Sequence, residues 1–123
     1  MSLIPNYVPS GYKTINVFLQ VEDAEKALAF YNGAFGAEIL EKSGDHFEFK
    51  IADTILMMTE SSKPSPSMLQ LFTEDAAELI ESVVKAGGEV VGALKEEKAG
   101  VKSGRVRDPF GNTWIITTST NLQ

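Results

Sequence analysis

The chain has 123 residues, enough for one domain with its own core, and it contains no cysteine, which excludes disulfides, thiolate metal sites and a cysteine nucleophile. Its net charge of −6 argues against a binder of phosphate backbones: Lys95, Lys98, Lys102, Arg105 and Arg107 make a basic stretch, but Glu96 and Glu97 interrupt it and no aromatics are interleaved for base stacking. No apolar run approaches the roughly 20 residues that span a bilayer, and residues 1–9 lack the charged and apolar regions of a signal peptide, so a cytoplasmic protein with no nucleic-acid and no membrane partner is expected.

From the N-terminus, Thr14 to Val21 alternates, with Ile15, Val17, Leu19 and Val21 on one face of a strand and Thr14, Asn16, Phe18 and Gln20 on the other. Asp23 is a natural cap for a helix whose Ala24, Ala27, Leu28, Tyr31 and Phe35 share a face, and Gly36 ends it. In His46 to Ile51, Phe47, Phe49 and Ile51 oppose His46, Glu48 and Lys50. The stretch Ser61 to Pro66 has linker composition. Asp75, with Glu78 three residues on, caps a second helix whose apolar stripe is Leu79, Ile80, Val83 and Val84, with a stop at Gly87. Near the end, Val106 opposes Arg105 and Arg107, and Asp108 to Asn112 is a turn sequence that shapes a hairpin and touches no ligand.

These elements repeat. Val21 to Ala24 recurs as Thr73 to Ala76, Gly36 to Leu40 as Gly87 to Val91, and Ala52 to Met57 as Gly111 to Ile116, in the same order. The chain therefore reads as α+β, a single domain over 1–123 made of two tandem βαβββ modules (about 10–60 and about 67–118). A curved mixed sheet with helices on one face leaves the other free to form a cup.

Ile4 to Pro9 with Gly11 and Tyr12, Val21 to Asp23, Phe30-Tyr31 with Ala34 to Glu38, and Gly104 to Asn112 together resemble the glyoxalase/bleomycin-resistance/extradiol-dioxygenase (vicinal oxygen chelate) superfamily, within it the PhnB-like subgroup. The resemblance spans roughly residues 4 to 118. It implies paired βαβββ modules around a cavity, a homodimer and, in metal-dependent members, a divalent ion held by His and Glu. Carried onto this sequence, the ligand positions are Asn16 and Met68 on the first strands and Leu56 and Ile115 on the last. None is a His, Asp or Glu, so no metal and no cofactor are expected.

Polar chemistry in the cup then falls to His46 and Glu48, neighbours on one strand face, and to Arg105 and Arg107, which the repeat sets against them in that order. A histidine beside a carboxylate is suited to proton transfer near neutral pH. The sequence thus points to a metal-independent small-molecule binding protein. Phe18, Leu56, Met58, Met68 and Ile115 would wall the cup, and Asn16, Gln70, His46, Glu48, Arg105 and Arg107 would orient the ligand. The alternative is a divalent-metal-dependent lyase, isomerase or dioxygenase with an ion rearranged onto His46 and Glu48.

Overall fold

The computed structural model describes residues 8–120, so Ile4 to Tyr7 of the resemblance lie outside it. In chain order the elements are β1 (Phe18–Val21), α1 (Ala24–Phe35), β2 (Glu38–Ser43), β3 (His46–Ile51), β4 (Thr54–Glu60), β5 (Met68–Phe72), α2 (Ala76–Ala86), β6 (Glu89–Lys98), β7 (Val101–Arg107) and β8 (Thr113–Ser119). This is the expected pair of βαβββ modules. Each module makes its own four-stranded mixed sheet: sheet A in the order β1-β4-β3-β2 and sheet B in the order β5-β8-β7-β6, the first strand of each pairing parallel to the last.

Both helices begin where their caps predict. The Asp23 carboxylate accepts from the Lys26 amide at 3.1 Å and Asp75 does the same for Glu78 at 3.1 Å, each satisfying a donor that the first helical turn cannot. Each helix start is also tied to the last strand of its own sheet: the Ala24 amide donates to Glu60 Oε2 (3.0 Å) and the Ala76 amide to Thr118 Oγ1 (2.7 Å). The second helix is less deeply packed than its apolar stripe suggests, since Val83 is buried but Val84 is exposed.

The modules meet through their helices. Ser82 of α2 donates to the Ala34 carbonyl of α1 at 3.1 Å, and one apolar cluster runs from Leu19, Leu28 and Phe49 to Val106, Trp114 and Ile116. Tyr31 sits at its centre, stacked on Phe49 (ring centroids 5.2 Å) and tilted against Trp114 (5.7 Å). Its hydroxyl donates to Asp108 Oδ2 at 2.6 Å, and the same oxygen accepts from Trp114 Nε1 at 2.9 Å. Asp108 Oδ1 takes the amides of Phe110 (2.9 Å) and Asn112 (3.0 Å), which closes the turn before β8. The Asp-Pro-Phe-Gly-Asn turn does shape a hairpin, and its buried carboxylate also links the two modules. Burial, then the Asp108 charge and hydrogen bond, push the Tyr31 phenol far above its ordinary pKa.

One predicted strand is shorter than its alternation suggests. β1 starts at Phe18, leaving Ile15 84% exposed and Val17 partly so. Asn16 turns back on its own loop, accepting from the Lys13 amide (3.2 Å) and donating to the Lys13 carbonyl (2.8 Å). A polar side chain that satisfies nearby backbone in this way offers the chain an alternative to the ladder.

Candidate functional site

With Leu19, Val21, Phe47, Phe49 and Ile51 turned to the helices, the opposite face of sheet A is open, and sheet B is built alike. The register defines what each open face carries. Across sheet A the central row is Phe18, Met57, Glu48 and Glu41. Across sheet B it is Gln70, Ile115, Arg105 and Gly92, flanked by Phe72, Thr117, Ser103 and Lys95 on one side and by Met68, Thr113, Arg107 and Glu89 on the other.

Sheet B bears a trough of about 1360 Å³ whose lining includes Gln70, Phe72, Val91, Ser103, Arg105 and Ile115. Its floor holds a short polar chain: Gln70 Nε2 donates to Thr117 Oγ1 at 3.1 Å, and Ser103 Oγ lies 2.8 Å from the same buried oxygen. Of the sequence candidates, Gln70, Arg105 and Ile115 line this trough. Met68 shares the face but not the lining, and Arg107 is held by Glu89 at 3.3 Å, outside it.

On sheet A, Glu48 is the centre. His46 Nε2 lies 3.0 Å from its Oε2, the Phe18 ring stands 5.9 Å from the His46 ring, and the Tyr12 hydroxyl donates to Oε1. The bonds from Tyr12 and then His46 hold the Glu48 carboxyl below the usual range, and Glu48 in turn raises the Tyr12 phenol. Tyr12 was not singled out from the sequence as a site residue; it belongs to a tight turn, its amide donating to the Pro9 carbonyl at 3.1 Å, that lies across this face. Gly11 adopts φ +89, and a Cβ there would stand 3.3 Å from Ile55 Cδ1, so the strap needs glycine at that point.

Two expected cup residues point the other way. Leu56 and Met58 are 3% and 0% exposed and belong to the core, paired across the ladder with Phe49 and Phe47. The cup-facing residue of β4 is Met57. The reason lies in the turns: β3 and β4 are joined by two residues, Ala52 and Asp53, whereas β7 and β8 are joined by five. Matching Asp53-Thr54 to Asn112-Thr113 therefore shifts the strand by one residue, and a one-residue shift exchanges the faces. By register Met57 is the mate of Ile115, and Glu48, not His46, is the mate of Arg105.

The donor chemistry does not suit the divalent ion that the resemblance associates with its metal-dependent members. Asn16 is engaged by its own loop, Leu56 lies in the core, and Met68 and Ile115 offer no hard oxygen or imidazole. Among the described residues no three His, Asp or Glu side chains are grouped to hold a metal.

The comparisons with known proteins agree with this architecture. The family model of the Glyoxalase/Bleomycin resistance protein/Dioxygenase superfamily matches residues 13–116, and the chain belongs to that superfamily. Among solved structures it is similar to TioX from Micromonospora sp. ML1 (TM-score 0.76, 20% identity, covering 85% of this chain and 97% of that one). It is also similar to a gene product of Arabidopsis thaliana (0.72, 30%, 85% and 98%) and to a glyoxalase-related enzyme from Fulvimarina pelagi (0.71, 21%, 85% and 87%). No curated protein matches the sequence. No helix among the described residues is long and apolar enough to cross a membrane.

Proposed function

We propose that this single-domain chain is a metal-independent small-molecule binding protein of the glyoxalase/bleomycin-resistance type, PhnB-like, acting as a cytoplasmic homodimer. The observation that carries the reading is the trough on sheet B, a concave site in which the apolar surface of Phe72, Val91 and Ile115 lies beside convergent polar groups such as Gln70, Ser103 and Arg105. The side chains at the ligand positions support metal independence. The two open faces support the homodimer. Phe18 on one is 55% exposed beside the Tyr12 strap and Phe72 on the other 67%, and the trough is lined by the second module alone, so one chain leaves the sheet B half-cup uncovered. The cysteine-free composition suits a reducing compartment.

The test is a thermal-shift screen on untagged protein alongside metal analysis, because a ligand that prefers the folded state raises Tm. Expected are substoichiometric divalent metal and at least one stabilising small molecule, with the shift lost when Ile115→Trp fills the trough. The His46–Glu48 contact favours the rival reading of a metal-dependent lyase, isomerase or dioxygenase. A stoichiometric divalent ion that disappears in His46→Ala would establish that rival.

A further inference from the structure

The two open faces carry opposite charge at the same place in the repeat: Glu48 in sheet A, Arg105 in sheet B. Glu48 is satisfied by Tyr12 and His46. Arg105 is not: its guanidinium has no hydrogen-bond or ion-pair partner among the described residues, although the chain has 17 acidic residues to 11 basic ones and pairs Arg107 with Glu89 and Lys42 with Glu25. An arginine left without a carboxylate in so acidic a protein, and facing a trough, presents an open donor fork.

Its seat is built. Opposite Arg105 on β6 stands Gly92, and a Cβ there would lie 3.3, 3.5 and 3.7 Å from Arg105 Cβ, Cγ and Cδ. The missing side chain leaves room for the arginine stem to lie along β6. Lys95, the β6 residue of the neighbouring row, is also without a side-chain partner among the described residues and lines the same trough. Beside both cations are the Gln70–Thr117–Ser103 polar chain and the apolar surface of Ile115 and Phe72. The remaining charges of the lining, Glu74, Glu97 and Lys98, lie beyond the Lys95 row, toward the Val101–Ser119 end of the sheet.

We infer that Arg105, with Lys95 beside it, takes the oxyanion of a small molecule whose apolar body rests on Ile115 and Phe72. This rests on the trough being a small-molecule site and names the class of ligand it selects. Carboxylates and phosphate monoesters share the chemistry. The planar arginine fork fits either, bidentate, and the Ser103 hydroxyl adds one donor on one side when the buried Thr117 hydroxyl donates to it.

Four benzene-ring probes test the inference on the full chain: phenylacetate, phenyl phosphate, benzyl alcohol and benzylamine. Each is followed by amide chemical shifts and by Tm, with inorganic phosphate as a fifth arm. Phenylacetate or phenyl phosphate is expected to bind and to move the amide signals of β6, β7 and β8, and whichever binds tighter identifies the source of the oxyanion. Affinity should fall at least about tenfold in Arg105→Gln, since hydrogen bonds to charged groups are worth that much or more. It should fall less in Lys95→Ala and remain unchanged in Lys42→Ala. Gly92→Val should weaken binding by crowding the Arg105 stem, and Arg105→Gln carries the test alone if that variant does not fold. Benzyl alcohol or benzylamine binding as tightly as phenylacetate, inorganic phosphate alone matching phenyl phosphate, or undiminished affinity in Arg105→Gln would overturn the oxyanion assignment while leaving the trough as a binding site. If no probe perturbs sheet B, both that site and this inference fall.

Discussion

At the scale of single residues, Asp108 shows how a turn motif becomes a structural clamp. Its four accepted hydrogen bonds come from two backbone amides, a tyrosine of the first module and a tryptophan of the second, all away from the open faces. Tyr31→Phe removes one of them and should lower stability by about 1–2 kcal/mol at neutral pH, measured by urea unfolding. The pH dependence has a defined sign. The folded-state pKa of Tyr31 is raised, so its stabilising effect is complete below the ordinary tyrosine value of about 10 and is lost as pH rises past it, where the unfolded chain ionises first. The stability difference between the wild type and Tyr31→Phe should therefore narrow above pH about 10. Asp108 and Tyr31 were visible in the sequence as turn and helix-face residues, and Trp114 lay within the repeated Gly111 to Ile116 stretch. Their convergence was not, because it depends on how two modules pack and no local pattern encodes that.

At the scale of elements, strand existence was legible and strand phase less so. Both helices, the module order and the alternating faces of β3 and β7 follow from period and capping. Leu56 and Met58 were misplaced because β4 is apolar on both faces: Leu56, Met57 and Met58 are all buried, so no alternation marks which residue belongs to the cup. Only the partner strand settles it, through Glu48 opposite Met57. The start of β1 failed for a different reason, since Ile15 and Val17 continue the alternation that the Asn16 loop interrupts. The corrected phase makes a paired prediction. Leu56→Ala removes a core side chain and should cost about 2–5 kcal/mol with no change in ligand affinity per folded molecule. Met57→Ala should cost less than Leu56→Ala, because its side chain lies on the Glu48 face, away from the Phe47–Phe49 packing. Thermal unfolding ranks the two, and the reverse order would mean that the β4 register is shifted by one residue.

At the scale of the whole molecule, the helices join the modules and turn both open faces away from the shared core. A chain arranged in this way leaves apolar side chains in water: Phe18 on sheet A, Met68 and Phe72 on sheet B. Stable association buries roughly 800 Å² on each partner and places such residues at its centre. On the homodimer reading, a second copy brings sheet A of one chain over sheet B of the other. Phe18 then meets Met68 and Phe72, while Arg105 keeps its fork toward the trough, since Glu48 is already taken up by Tyr12 and His46. Phe18→Glu combined with Met68→Glu should convert the dimer to a monomer in sedimentation velocity while the circular dichroism spectrum stays unchanged, since both side chains are already exposed. A double variant that remains dimeric would place the interface elsewhere, and a wild type that sediments as a monomer would leave each half-cup to bind alone.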